Sequence, residues 1–120
     1  MDNYFINDRS VRESGHDTSY RIDGNCIELN LEELNALLYK YETDFAQLIK
    51  YEFDHNFITH GKSYDCAYWI QKAEQRKALV NKFLWNEEKG LYMDYNFFEE
   101  QQSDFVAATT LIPTLGQNRL

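Results

Sequence analysis

Leu31, Leu34, Leu38, Tyr41, Phe45, Leu48 and Ile49 recur almost entirely at steps of three and four residues. That spacing gathers side chains on one side of an α-helix and scatters them over both faces of a strand. Asn30 stands where a helix cap belongs, and Glu33 completes a capping box with it. The pattern predicts a helix over residues 30–53. A second stretch repeats the period through Trp69, Ala73, Arg76, Val80, Phe83 and Leu84, and predicts a helix over residues 63–85. Arg76, Lys77 and Lys82 lie in its second half, where cations complement the helix dipole.

The remainder is less regular. Residues 1–29 are polar, with Gly15 and Gly24 as breakers, and read as a loop. Residues 54–62 hold His55, His60 and Gly61 and read as a connection between the helices. Residues 86–90 form a turn, and the short aromatic segment 91–96 is extended. A third helix starts at Ser103, with Asp104 in its first turn, and ends at Pro113. Two long helices and part of a third predict an all-α chain, with no sheet of more than two short strands. There is no internal repeat.

A chain of 120 residues forms one domain around one core. Its 20 acidic and 12 basic residues give a formal charge of -8, which argues against nucleic acid or an anionic membrane as partner. The first residues have neither the basic start nor the apolar run of a signal peptide, and no stretch approaches the ~18 apolar residues of a membrane span. Cys26 and Cys66 stand apart from one another and from other ligand-like residues, and read as reduced thiols. These features point to the cytoplasm. His55 and His60, near Asp54 and Asp65, do not have the spacing of a zinc site and read as solvated loop histidines. No phosphate-cradling glycine loop is present.

The densest chemistry lies in Arg12-Glu13-Ser14-Gly15-His16-Asp17-Thr18-Ser19-Tyr20-Arg21. Ten residues hold two arginines, two carboxylates, a histidine, three serine and threonine hydroxyls, a tyrosine and a glycine. Such a run is either an ordinary polar loop laced with salt bridges or a site that handles a hydroxyl-rich ligand. Glu13 and Asp17 are too close in sequence to flank a scissile bond readily from opposite faces.

In order and composition this run resembles the acid-bearing loop of the trehalases of glycoside hydrolase family 37, in the His-Asp-Thr-x-Tyr-Arg form of the fungal neutral, cytosolic branch. Leu34-Asn35-Ala36-Leu37-Leu38-Tyr39-Lys40-Tyr41-Glu42 resembles a helix of the same branch. Trp85-Asn86-Glu87-Glu88-Lys89-Gly90-Leu91-Tyr92-Met93-Asp94-Tyr95-Asn96 resembles a turn found more widely among toroid glycosidases. The similarity runs from about residue 9 to residue 110, and residues 111–120 diverge.

The resemblance implies an α/α toroid of six helical hairpins, of which residues 1–120 supply part: an acid-bearing loop over 1–29, a helical hairpin segment over 30–110 and a divergent tail. It implies inverting hydrolysis of α,α-trehalose to two glucose molecules, without cofactor or metal. Asp17 takes the role of general acid, and Gly15 the position whose backbone lies against the sugar. Arg12, Glu13 and His16 are groups that support the acid or bind sugar hydroxyls. The general base of the family lies far downstream, in a stretch without counterpart here. The alternative is a non-catalytic helical fragment that binds sugar weakly or associates with other trehalase chains through exposed toroid faces. A general acid must be protonated near neutral pH, whereas a free Asp titrates near ~3.9. Arg12 or Arg21 against Asp17 would lower it further, so these arginines are expected to bind sugar hydroxyls or other acids.

Overall fold

The computed structural model describes residues 2–16, 19–22 and 24–114. Its elements run α1 (Asn3–Ser14), β1 (Leu29–Asn30), α2 (Glu32–Glu52), β2 (Asn56–Thr59), β3 (Lys62–Asp65), α3 (Cys66–Phe83), β4 (Trp85–Asn86), β5 (Leu91–Tyr92), β6 (Tyr95–Asn96) and β7 (Gln101–Gln102). Short 3-10 helices occupy Cys26–Glu28 and Ala108–Thr114.

The two long helices are present, but the chain is not all-α. β6 pairs antiparallel with β1 on one side and β7 on the other, making a sheet of three strands where at most two were expected. Two further antiparallel pairs, β2 with β3 and β4 with β5, complete the strand content of the described residues. Helical periodicity covers only α2 and α3. The strands are two to four residues long, too short a span for a period to register.

The expected loop over 1–29 is also corrected, because α1 fills much of it. Asp2 caps it by accepting from the Tyr4 amide at 3.1 Å. Arg9 pairs with Glu13 and Arg12 with Asp8 at the helical spacing of four. Gly15 follows the last turn with φ +76°, the left-handed geometry that ends many helices and favours glycine. This glycine is a helix stop rather than a loop breaker. Val11 packs with Ile22 and Leu31 in a small buried cluster.

Residues 56–65 are a β-hairpin, where residues 54–62 were expected to be a connection between the helices. His60 and Gly61 both have positive φ, +49° and +72°, as a two-residue hairpin turn requires. The register sets Phe57 opposite Tyr64 and Ile58 opposite Ser63. Ser63 is therefore strand, and α3 begins only after Asp65, whose carboxylate accepts from the Tyr68 amide at 2.6 Å.

α2 and α3 pack as a hairpin. Ala46, Ile49, Ala73 and Val80 are buried. Between the helices, Arg76 forks onto Glu42 with two bonds of 2.9 Å and reaches Asn35 at 3.1 Å. The face of α2 that packs is centred on Glu42, Ala46 and Ile49. Leu34, Leu37, Tyr41, Phe45 and Leu48 stay 45–50% exposed. A second buried cluster joins Val80 and Leu84 of the α3 end to Tyr92 of β5. The Tyr92 hydroxyl donates to Asn81 at 2.6 Å.

The expected third helix is absent. Residues 103–107 are irregular, and the 3-10 turn over Ala108–Thr114 contains Pro113. The Ser103 hydroxyl accepts from the Phe105 amide at 3.2 Å while the Ser103 amide donates to the Asp94 carbonyl at 2.8 Å. Its backbone is thereby tied to the β5–β6 connection instead of opening a helix. No helix among the described residues is long and apolar enough to cross a membrane. Cys26 and Cys66 are both free.

Candidate active site

Asp17 and Thr18 lie outside the described residues. The residues on either side are described, and they separate into two groups. Arg12 and Glu13 sit on the exposed last turn of α1, each paired within the helix, Arg12 with Asp8 and Glu13 with Arg9. A Cβ built on Gly15 would meet nothing within 4 Å, so its backbone borders open space. The Gly15 position is thus accessible to a ligand, but its glycine is also required by φ.

Arg21 turns inward, whereas His16 stays at the surface with its side chain 35% exposed. The Arg21 side chain is only 9% exposed. Its Nε donates to Asp94 Oδ2 at 2.5 Å and its Nη2 to Asp94 Oδ1 at 2.7 Å. Nη2 also donates to Glu32 Oε2 at 2.6 Å and to Glu33 Oε2, while Nη1 donates to Glu33 Oε1 at 2.9 Å and Thr109 Oγ1 at 2.8 Å. A buried guanidinium demands such a cage, because all its donors must be met away from water. His16 Nε2 lies 3.4 Å from Glu33 Oε1. The charge of Arg21 is thus taken up by Glu32, Glu33 and Asp94.

The same cage explains how α2 begins. Asn30 does not cap it. Asn30 is held in β1 opposite Tyr95, and the cap position falls to Leu31, which has no side-chain oxygen to offer. Asp94 serves instead from across the fold, accepting from the Glu32 amide at 3.0 Å, and Glu32 Oε2 accepts from the Glu33 amide at 2.5 Å.

Three carboxylates around one guanidinium cannot all ionise freely. Burial, hydrogen bonding to Glu33 and the Asp94 charge push the Glu32 carboxyl up to about 8. Burial opposes ionisation of Glu33 as well, but its bonds to Glu32 and Arg21 hold it below the ordinary range. The two neighbouring carboxyls are thus pushed in opposite directions, Glu32 up and Glu33 down. For Arg21, burial is outweighed by Asp94 and Glu33, and its pKa rises further. Glu32 is fully buried, and its Oε1 has no partner among the described residues.

Ligand oxygens of Glu32, Glu33 and Asp94 converge within 4.8 Å. Arg21 already sits among them, and its bonds to all three make the cluster an arginine clamp rather than a ready cation cage. Beside it opens a cavity of about 300 Å3 lined by His16, Ser19, Arg21, Ile22, Glu33, Phe105, Ala107 and Thr109. Polar groups and one aromatic ring on a concave wall suit a hydroxyl-rich ligand. A larger groove of about 470 Å3 between α2 and α3 is lined by none of residues 12–21.

Sequence reasoning missed Glu32, Glu33, Asp94 and Thr109 as partners of Arg21. Asp94 also anchors backbone, at the Glu32 amide, and Asn96 likewise accepts from the Phe98 and Glu99 amides at 3.0 Å. The available signal was the adjacent pair Glu32-Glu33 at a helix start, but helix dipole and capping account for such a pair without a distant arginine.

The sequence model of the family described as Trehalase matches residues 1–117. A cytosolic neutral trehalase of Beauveria bassiana is 43% identical over 122 residues, covering 92% of this chain and 16% of that protein. One from Kluyveromyces lactis is 46% identical over 114 residues, covering 92% of this chain and 15% of that protein. The solved structure of a neutral trehalase from Saccharomyces cerevisiae superposes with a TM-score of 0.84 at 39% identity, covering 91% of this chain and 20% of that one. The chain thus spans about a sixth of the length of these curated relatives.

Proposed function

This chain belongs to the trehalase family, and on that footing we propose that it is the acid-bearing part of a cytosolic enzyme hydrolysing α,α-trehalose to two glucose molecules. Asp17 is the general acid that protonates the leaving oxygen, and Gly15 presents backbone to the sugar. The second carboxyl, which activates water from ~6.5–9.5 Å away in an inverting enzyme, comes from outside these 120 residues. His16 acts from beside the acid. Arg12 and Glu13, whose only described partners lie within α1, are available to sugar hydroxyls. The ligand is a neutral small molecule, in keeping with a formal charge of -8 that disfavours nucleic acid and anionic membranes. Residues 1–120 form part of a catalytic domain whose other parts cover the apolar face of α2.

The observation that carries this reading is the Arg12–Arg21 run in a family member, with Arg21 committed to Glu32, Glu33 and Asp94. A guanidinium so engaged is not free to hold Asp17 ionised. The test is glucose release by the whole protein that contains these residues, with Asp17→Asn in parallel. Asparagine keeps the shape but has no proton to give. Turnover should fall ~10²–10⁴-fold, the usual contribution of a general acid, while trehalose binding persists. Near-normal turnover would remove Asp17 from the mechanism and turn attention to Glu13.

A further inference from the structure

We propose that Glu32 is a proton-operated latch, which holds the first turn of α2 against the Arg21 cluster while it carries a proton and lets go when it ionises. Arg21 is bonded to Glu32, Glu33 and Asp94, whose side chains are only 0%, 13% and 1% exposed. Were all three ionised, three negative charges would face one positive charge away from water. Among the described residues, His16 beside Glu33 is the one further titratable group at the cluster, and Thr109 meets Arg21 without charge. Hydrogen bonding singles out the acid that holds the proton. Both oxygens of Asp94 accept from Arg21, and so do both oxygens of Glu33. Glu32 Oε2 accepts from Arg21 and from the Glu33 amide, but Glu32 Oε1 is buried with no partner among the described residues. A neutral hydroxyl at Oε1 costs far less than a bare negative charge. Burial, Glu33 and Asp94 raise the Glu32 carboxyl accordingly.

The start of α2 depends on this one side chain. Its cap position, Leu31, offers no side-chain acceptor. The turn rests instead on Asp94, which accepts from the Glu32 amide, and on Glu32, which accepts from the Glu33 amide. An ionised Glu32 regains hydration only by swinging out of the cluster, and both contacts require it to stay. Arg21, Glu33 and Thr109 also line the cavity beside the cluster, so the same step loosens the cavity wall. Val80 of α3 lies in a separate buried cluster with Leu84 and Tyr92, and takes no part. The opening is therefore local and leaves the rest of the fold closed. Glu32 binds its proton more tightly in the closed state than in the open one. The latch is thus firmest below the ordinary carboxyl value, near ~4.3, and weakens as pH rises towards about 8. Over that range each pH unit favours opening about tenfold.

Hydrogen exchange reads the latch directly. It is followed by mass spectrometry on the whole protein that contains these residues, as wild type and as Glu32→Gln, whose amide keeps the shape and cannot ionise. Rates are corrected for the intrinsic pH dependence of exchange. Peptides covering the first turn of α2 are compared with peptides around Val80. In wild type, protection of the first turn is expected to fall about tenfold per unit from about pH 5 to about pH 8. Protection around Val80 should stay at least ~10-fold higher throughout, as local opening requires. In Glu32→Gln the first turn should show no such fall. A flat profile in wild type would overturn the latch, and so would an equal slope in Glu32→Gln, which would assign the proton to another group. Equal protection of the two regions at every pH would also overturn it, because the opening would then be global unfolding. If Glu32→Gln does not fold, Glu32→Met, of similar volume and without charge, is read by the same criteria.

Discussion

Arg21 donates to Asp94, Glu32, Glu33 and Thr109 from a side chain only 9% exposed. Removing one member of a buried ion cluster strands the others, which costs about 3–5 kcal/mol. Arg21→Ala is expected to lose that much in urea unfolding. Arg21→Lys should recover little, because an ammonium cannot span three carboxylates with a planar fork. A lysine variant as stable as wild type would show that charge alone suffices. Glu32 gives the cluster a pH signature. Its folded pKa, about 8, lies above the ordinary carboxyl value, so the folded state holds a proton that the unfolded chain releases. That contribution is complete below the unfolded pKa and is lost as pH rises through the unfolded value towards about 8. Glu33, held low, contributes in the opposite sense and only at acid pH. Melting temperatures from about pH 5 to about pH 9 should therefore decline more steeply in wild type than in Glu32→Gln. Parallel profiles would mean that Glu32 is already ionised in the fold.

At the scale of elements, capping shows how local signals and tertiary contacts divide the work. α3 is capped by its own neighbour Asp65, whereas α2 is capped by Asp94 from 62 residues away. Asp65→Ala should cost about 1 kcal/mol, the usual worth of a cap. Asn30→Ala should stay within about 0.5 kcal/mol of wild type, as for a substitution that removes no cap. A larger loss at Asn30, measured by thermal or urea unfolding, would restore it as the cap. Gly15 and Gly61 mark two other element ends that rest on positive φ, after α1 and in the β2–β3 turn.

For the whole molecule, the apolar surface matters most. Leu34, Leu37, Tyr41, Phe45 and Leu48 run along one side of α2 at helical spacing and remain about half exposed. Contiguous exposed apolar surface of this kind marks an interface. The 120-residue chain alone is expected to associate in a concentration-dependent manner in sedimentation velocity, and Leu37→Glu combined with Leu48→Glu should shift it toward monomer. An unchanged distribution would place the contact elsewhere. On the proposed reading the same chain alone should release no glucose from trehalose, because the carboxyl that activates water comes from outside these 120 residues. Activity lost in an Asp17→Asn control would point to a base within these residues or one supplied by a second copy.

Local order was legible in the residues themselves. The apolar period located α2 and α3 to within a few residues, because regular spacing is a property of the chain alone, and the turn at 86–90 and the extended segment at 91–96 followed from their composition. The helix over Asn3–Ser14 went unread, its residues reading as a loop: Asp2 as cap, two charge pairs at a spacing of four and Gly15 as stop were present, but it has little apolar period to announce it. The family was carried by residue identities in order, which need no fold to be read. Tertiary structure alone decided which side of α2 is inside. Both sides carry apolar groups, and the choice fell to Ala46 and Ala73, small enough for close approach, and to the Arg76–Glu42 fork. It also decided that short segments pair as strands, since two residues acquire a ladder only when a partner arrives. And it brought Arg21, Glu32, Glu33, Asp94 and Thr109 to one point across 88 positions of sequence, which no spacing encodes.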